Sequence, residues 1–204
     1  MRIQRSTVAA ISLSFLVLFS TAVFAQTEPQ RPPIVPSSEA TLQLIVGSND
    51  AAQSGNLPAE LRAVASRIKS DFGFTSYRLD NTFVGRIGGI GNFEYRSVSN
   101  TIGTGADSDS PSFLEWNLGL RNSANENGRM TFQVDSFRFG AKIPVKVSTM
   151  VGDAGKIVSN TVYENVGVSI SRVSLPENTP TLIGTLSLPK TAGTIFLVLT
   201  IKPA

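Results

Sequence analysis

Three glutamates, Glu94, Glu115 and Glu164, lie in stretches of alternating apolar residues that predict β-strands. Two carboxylates that the fold brings close together can hydrolyse a glycosidic bond as acid, base or nucleophile. Such pairing in space does not show in sequence spacing, and outward-facing strand positions also explain all three residues. A carboxylate-dependent hydrolase acting on glycans therefore stays open as one alternative, but the sequence assigns no catalytic residue.

Three other patterns with chemical potential are incomplete. Ser66 precedes Lys69 by three residues, but the pair lies toward the end of a predicted helix, where a solvated face is expected rather than a nucleophile and base. Asp107-Ser108-Asp109 begins like a calcium loop, yet unsuitable residues stand where a third oxygen ligand, a glycine and a distal carboxylate are needed. The glycine-rich stretch 88–92 lacks the phosphate-binding spacing and predicts a hairpin turn.

The composition removes many kinds of site, because the chain contains no histidine and no cysteine. The usual zinc, haem and copper ligands are missing, as is the commonest general base, and no disulfide framework can form. We therefore predict no metal, no cofactor and no enzymatic activity. The aromatic residues of the predicted strands offer either a sugar- or peptide-binding platform or core packing, and core packing is favoured. These residues are Trp116, Phe132, Phe137 and Phe139.

The N-terminus predicts export. Arg2 and Arg5 precede an apolar stretch, and Val23-Phe24-Ala25 places small residues where a signal peptidase reads, so residues 1–25 are predicted to be a signal peptide cleaved after Ala25. Removing the two arginines lowers the basic residues from 18 to 16 against 15 acidic ones, a net charge of +1. This near-neutral balance argues against a nucleic-acid partner. A periplasmic or secreted protein is expected, without a transmembrane helix in the mature chain.

Hydrophobic periodicity predicts the organisation of the rest. Residues 26–40 hold four prolines and predict an extended tether. Residues 41–99 predict a β-α-β-β lobe: a strand, a helix bearing Leu57, Leu61, Val64, Ile68 and Phe72 on one side, and a hairpin turning at 88–92. The polar stretch 99–112 is the candidate boundary, and residues 113–204 predict an antiparallel β lobe, unless 41–204 forms one domain.

Several local features refine this prediction. Phe137 and Phe139 have the opposite parity to Met130, Phe132 and Val134, which predicts a bulge or bend near Asp135-Ser136. Residues 122–128 predict a loop. The stretch 194–201 is apolar on both faces and predicts a central strand covered on each side. The fold class expected is α+β and β-rich, with one amphipathic helix on a mostly antiparallel sheet and a β-sandwich-like C-terminal part.

Two segments of the C-terminal third carry a family resemblance, residues 139–145 and 163–170. They contain a Gly-x-x-Ile-Pro segment at 140–144 and a Tyr-x-x-Val-Gly-Val strand at 163–168, and residues 194–203 form a hydrophobic strand ending in proline. These features resemble the channel domain of secretins, the multimeric outer-membrane channels of type II and III secretion and type IV pili. The order of the 41–99 lobe is similar to secretin ring domains. Ser171-Arg172-Val173 departs from the family pattern, which has a proline there.

The resemblance implies a component of a secretion or pilus assembly system, which would associate with other copies of itself. As a whole, the chain also resembles small exported proteins of Gram-negative bacteria with this strand, helix and hairpin order, which brings no activity with it. The residues themselves favour a non-enzymatic exported protein that binds another envelope or extracellular component, either another protein or itself.

Overall fold

The structure is a computed structural model that describes residues 37–50, 55–88, 91–102, 110–126, 129–151, 157–188 and 193–204. They belong to one compact unit, Val35–Ala204. The predicted signal peptide, residues 26–36 of the predicted tether, and Asp107 and Asp109 lie outside the described residues.

The described strands form two antiparallel four-stranded sheets, which confirms the β-rich fold class. Sheet A has the order β2-β1-β8-β7 and sheet B the order β3-β4-β5-β6. The strands are β1 (Ser37–Ser48), β2 (Ser76–Gly88), β3 (Gly91–Ser99), β4 (Ser112–Glu126), β5 (Arg129–Val151), β6 (Ile157–Pro176), β7 (Thr181–Ser187) and β8 (Thr194–Pro203).

The main hydrophobic core fills the space between the two sheets. It combines inward-facing side chains of β1 and β8 in sheet A, such as Leu42 and Leu197, with those of β4 and β5 in sheet B, such as Trp116 and Phe139. Alternation in each strand directs every second residue into this layer. Burying one such large apolar side chain is worth about 1.5–3 kcal/mol, so the sandwich itself is the main source of stability.

One helix, α1 (Arg62–Phe72), follows a short 3₁₀ turn (Ala59–Leu61) and covers the other face of sheet A. Of the predicted stripe, Leu61 and Ile68 are fully buried and pack with Phe196 and Val198 of β8, whereas Phe72 remains 43% exposed. The helix ends at Gly73, whose φ of 64° lies in the left-handed region that glycine adopts without strain. The predicted helix on a sheet is thus confirmed.

β8 is the central strand that the sequence predicts. It lies between β1 and β7, and seven successive residues from Ile195 to Ile201 are buried. Ile195 and Leu197 face the core between the sheets, while Phe196 and Val198 face the helix. Both faces are covered, which explains why this segment is apolar without alternation.

The predicted bulge is also confirmed. Gly119 of β4 pairs with Ser136 of β5, but the next residue, Leu120, pairs with Val134, so Asp135 is the extra residue. The insertion changes the parity of β5, and Phe132 and Phe137 therefore enter the same core although they lie five positions apart.

The predicted hairpin at 88–92 is wrong. β2 pairs with β1 in sheet A, whereas β3 pairs with β4 in sheet B, so the chain passes from one sheet to the other after Gly88. Residues 89–90 are outside the described part. Phe83 of β2 and Phe93 of β3 both reach the core between the sheets. The two strands therefore lie in opposite sheets, on either side of that core, and not side by side in one sheet.

Two boundaries also differ from the sequence prediction. β1 begins at Ser37, so residues 37–40 are strand rather than tether; Ala40 is fully buried and pairs with Ile201 of β8. β4 continues to Glu126 and pairs with β5 through that residue, so 122–126 is strand rather than loop. In both cases, pairing with a neighbouring strand outweighs the local preference of polar residues for loops.

No helix in the described part of the chain has the length and apolar character needed to cross a bilayer.

Candidate functional site

The outer face of sheet B, which points away from the core, carries the candidate site. Strand alternation places one set of residues on this face, because their neighbours along each strand face the core. Phe113 and Glu115 of β4 lie there, next to Arg96 of β3 and Lys142 of β5. The rigid sandwich beneath holds these side chains on regular strands rather than on loops.

A groove of about 690 Å³ lies on this face. Its floor includes Gly140 of β5, whose direct partner in the sheet is Gly167 of β6. A Cβ atom at Gly140 would meet nothing within 4 Å, so the missing side chain leaves open space. The groove is lined by Arg96, Ser97, Phe113, Leu114, Glu115, Gly140, Ala141, Lys142, Tyr163, Asn165 and Val166. Its volume falls within the ~300–1,000 Å³ typical of ligand pockets.

Two exposed aromatic side chains border the groove. Phe113 of β4 and Tyr163 of β6 are 46% and 40% exposed, and their ring centroids are 5.8 Å apart across the intervening strand β5. Val98, the cross-strand partner of Phe113, is 56% exposed and widens the apolar surface. Apolar surface of this kind beside charged groups is typical of an interaction site.

The charges of the site are unevenly paired. Arg96 contacts both Glu94, at 2.8 Å, and Glu115, at 3.5 Å, through its guanidinium nitrogens. Lys142 lies in the groove and Arg138 beside it on β5, and neither has a carboxylate within 4 Å among the described residues. Glu94 and Glu115 thus share one arginine, while Lys142 and Arg138 add positive charge to this face without a carboxylate partner among the residues described.

The structure brings together two of the three glutamates considered from sequence. Glu94 and Glu115 share Arg96 on the outer face of sheet B. Glu164 pairs with Ile143, a core residue of β5, and so lies on the opposite side of the sheet from Glu115. Each of the three is exposed.

The aromatics considered as a binding platform are core residues instead. Trp116, Phe132, Phe137 and Phe139 are each at most 3% exposed, which confirms the core-packing prediction. The indole nitrogen of Trp116 has no hydrogen-bond partner among the described atoms and lies in an aromatic cluster, with the ring of Phe93 at 5.0 Å.

The residues missed by sequence reasoning are Phe113 and Lys142. Phe113 directly precedes Leu114, which is a core residue, so strand alternation places Phe113 on the outward side. That alternation was the signal available in the sequence. The combination with Tyr163 was not foreseeable, because these residues are separated by fifty positions and meet only through the order β4-β5-β6.

The serine and lysine of the α1 helix do not form a nucleophile and base. The hydroxyl of Ser66 donates a hydrogen bond to the backbone carbonyl of Arg62 at 2.9 Å. The Lys69 ammonium instead lies 5.7 Å from the ring centre of Tyr77. Ser66 and Lys69 are both exposed, as expected for a solvated helix face.

Within the described ranges, no cluster of three or more acidic side chains has the geometry to hold a metal ion. The candidate calcium residues Asp107 and Asp109 are outside those ranges.

No model of a known protein family and no curated protein sequence matches this chain.

Proposed function

We propose that this chain is an exported, non-enzymatic binding protein that uses the groove on the outer face of sheet B to hold another protein of the cell envelope. The observation that carries the proposal is the combination of exposed Phe113 and Tyr163 with the positive charge of Lys142, which has no carboxylate within 4 Å in the part of the chain that the structure describes. Aromatic side chains are enriched where proteins bind one another, and a neighbouring positive charge favours a partner that carries an acidic group.

The chemistry of the groove defines the partner segment. An apolar side chain of the partner packs against the rings of Phe113 and Tyr163, where desolvation of aromatic surface supplies most of the affinity. An acidic group of the partner lies near Lys142 and Arg138, which raises the rate of association more than the final affinity. Gly140, in the floor of the groove, allows the backbone of the partner to approach sheet B closely. The predicted signal peptide supports a place for this encounter outside the cytoplasm.

A secretin-like role is the second candidate. The two segments that carry the resemblance are adjacent, antiparallel strands: Gly140 of the first pairs with Gly167 of the second, and Pro144 pairs with Tyr163. The residues shared with secretins therefore include parts of the groove itself. For this candidate the bound partner is a further copy of the chain, arranged in a ring.

Site-specific photo-crosslinking in living cells tests the proposal. A photoreactive residue at Asn165, which lines the groove, is compared with one at Thr185, an exposed position on β7 of sheet A. We expect a discrete adduct with one envelope protein from position 165 only. Phe113→Ala combined with Lys142→Glu should abolish that adduct while leaving the protein folded.

The crosslinking results distinguish binding of another envelope protein from the secretin-like role. An adduct with a second copy, together with large SDS-resistant rings, would support the secretin-like role instead. Equal adducts from positions 165 and 185, or an adduct that survives the double change, would contradict a binding function of the groove.

A hydrolase acting on envelope glycans is the alternative that uses Glu94 and Glu115, since these two carboxylates share Arg96. Our proposal predicts that the purified chain does not hydrolyse glycans and that Glu115→Gln changes the free energy of unfolding by less than about 1 kcal/mol, because exposed ion pairs contribute little. Glycan turnover that disappears on a single Glu→Gln change at Glu94, Glu115 or Glu164 would establish the hydrolase and refute the proposal.

A further inference from the structure

A second, separate cavity lies on the outer face of sheet A. The helix α1 covers one part of this face, over Phe196 and Val198 of β8. Further along the same strand, the apolar residues give way to Thr200 and Lys202, and a polar cup of about 270 Å³ opens beside the 3₁₀ turn. The cup is too small for a large ligand, since ligand pockets usually span ~300–1,000 Å³.

The floor of the cup contains polar side-chain groups that are open to a ligand. Thr41 and Thr200 are direct cross-strand neighbours, and Thr200 is only 6% exposed. Neither hydroxyl makes a hydrogen bond within the described part of the protein. Gln43, 4% exposed, donates from its amide nitrogen to a carboxylate oxygen of Glu60 at 3.2 Å, which leaves its carbonyl oxygen available as an acceptor. These hydroxyl and carbonyl groups line the cup, so a molecule that enters it can form hydrogen bonds with them.

The walls carry balanced charges and one apolar surface. Glu60 is the anion and Lys202 the cation, and Asn178 adds a neutral amide. The loop that bears Asn178 is held in place, because its backbone N–H donates to the carbonyl of Ile201 at 2.9 Å. Pro180 supplies an apolar ring at the edge. Opposite charges on the walls give neither an anion nor a cation a net attraction.

We infer that this cup binds a single neutral sugar unit, whose hydroxyl groups bond to Thr41, Thr200 and Gln43 while a C–H face of its ring packs on Pro180. A hydroxyl both donates and accepts, and this matches a floor that offers both functions. A ligand of about a dozen non-hydrogen atoms bound in an open cup should have a dissociation constant of roughly 1 mM. The inference does not depend on the proposed function, because the groove lies on the other sheet.

Nuclear magnetic resonance titration of the isotope-labelled full chain tests it. The probes are glucose, galactose and N-acetylglucosamine, with zwitterionic alanine and inorganic phosphate as small charged controls. We expect at least one sugar to produce saturable shifts at the amides of Thr41, Gln43 and Thr200, and the two charged probes to produce none. Thr200→Val keeps the shape of the residue and removes the hydroxyl, so it should weaken sugar binding about tenfold.

Thr185→Val is the matched control, since Thr185 is an exposed threonine in the same sheet outside the cup. It should leave the sugar affinity unchanged. The inference is overturned if no sugar shifts these amides, if alanine or phosphate shifts them equally, or if the two valine variants bind alike. None of these results bears on crosslinking from the groove of sheet B, so the two proposals fail separately.

Discussion

The side chain of Asp80 is fully enclosed and accepts hydrogen bonds from several neighbours. One oxygen contacts the Arg78 guanidinium at 2.5 Å and the hydroxyl of Thr101, and the other accepts from Asn81 at 3.0 Å and Ser99 at 3.4 Å. Arg78 also donates to the Thr101 carbonyl at 3.0 Å. Because Asp80 belongs to β2 and Ser99 to β3, this network joins sheet A to sheet B at one edge of the sandwich.

Replacing Asp80 by alanine should lower the free energy of unfolding by about 3–5 kcal/mol, because Arg78 would lose its counter-charge in a largely buried position. Urea denaturation of the variant measures this loss. Asp71→Ala is the control: its ion pair with Arg67 is exposed on α1, at 3.7 Å, and its removal should change the free energy of unfolding by no more than about 0.5 kcal/mol. Similar small losses in both variants would show that the Asp80 network does not stabilise the sandwich.

For single residues, the sequence showed which residue types are missing but did not show which side chains contact one another. The lack of histidine and cysteine is a property of composition and needs no structure. In contrast, the pairing of Glu94 and Glu115 through Arg96, and the enclosure of Asp80, depend on which strands become neighbours. The alternating sequence around Asp80 carries no sign of that enclosure.

At the scale of strands and helices, the bulge at Asp135 shows that one inserted residue determines which side chains of a strand face the core. A single insertion changes which face of β5 receives the following side chains, and so it brings Phe137 and Phe139 into the core. The sequence pattern predicted it because two runs of alternating apolar residues had opposite parity. The connection after Gly88 was not predictable in the same way. Glycines are equally suited to a hairpin turn and to a crossing between sheets.

Deleting Asp135 should prevent folding, because Phe137 and Phe139 would then point to the outer face of sheet B, or the rest of β5 would have to shift register. Circular dichroism and thermal melting of the purified variant measure the loss. Asp135→Ala keeps the insertion and removes only an exposed ion pair with Arg121, at 3.4 Å, so it should fold with nearly unchanged stability. A deletion variant that melts like the parent would refute this role of the bulge.

For the whole molecule, the sandwich explains why the two faces differ. The outer face of sheet A is partly covered by α1, while the outer face of sheet B presents Phe113, Tyr163 and the open space at Gly140. The sequence predicted the helix, the central strand and the fold class, since each depends on a local pattern. The division of residues 41–99 between two sheets depends on pairing over long sequence distances, such as β1 with β8, and local patterns do not contain that information.

The central claim is that the groove of sheet B is a binding surface, and filling it tests this claim most directly. Gly140→Val introduces a side chain that suits a strand into open space, so the protein should fold normally, while the photo-crosslinked adduct from position 165 should fall by at least about tenfold. Gly88→Val, also a glycine with open space but on sheet A, should leave the adduct unchanged. A folded Gly140→Val variant that forms as much adduct as the unchanged protein would contradict the account.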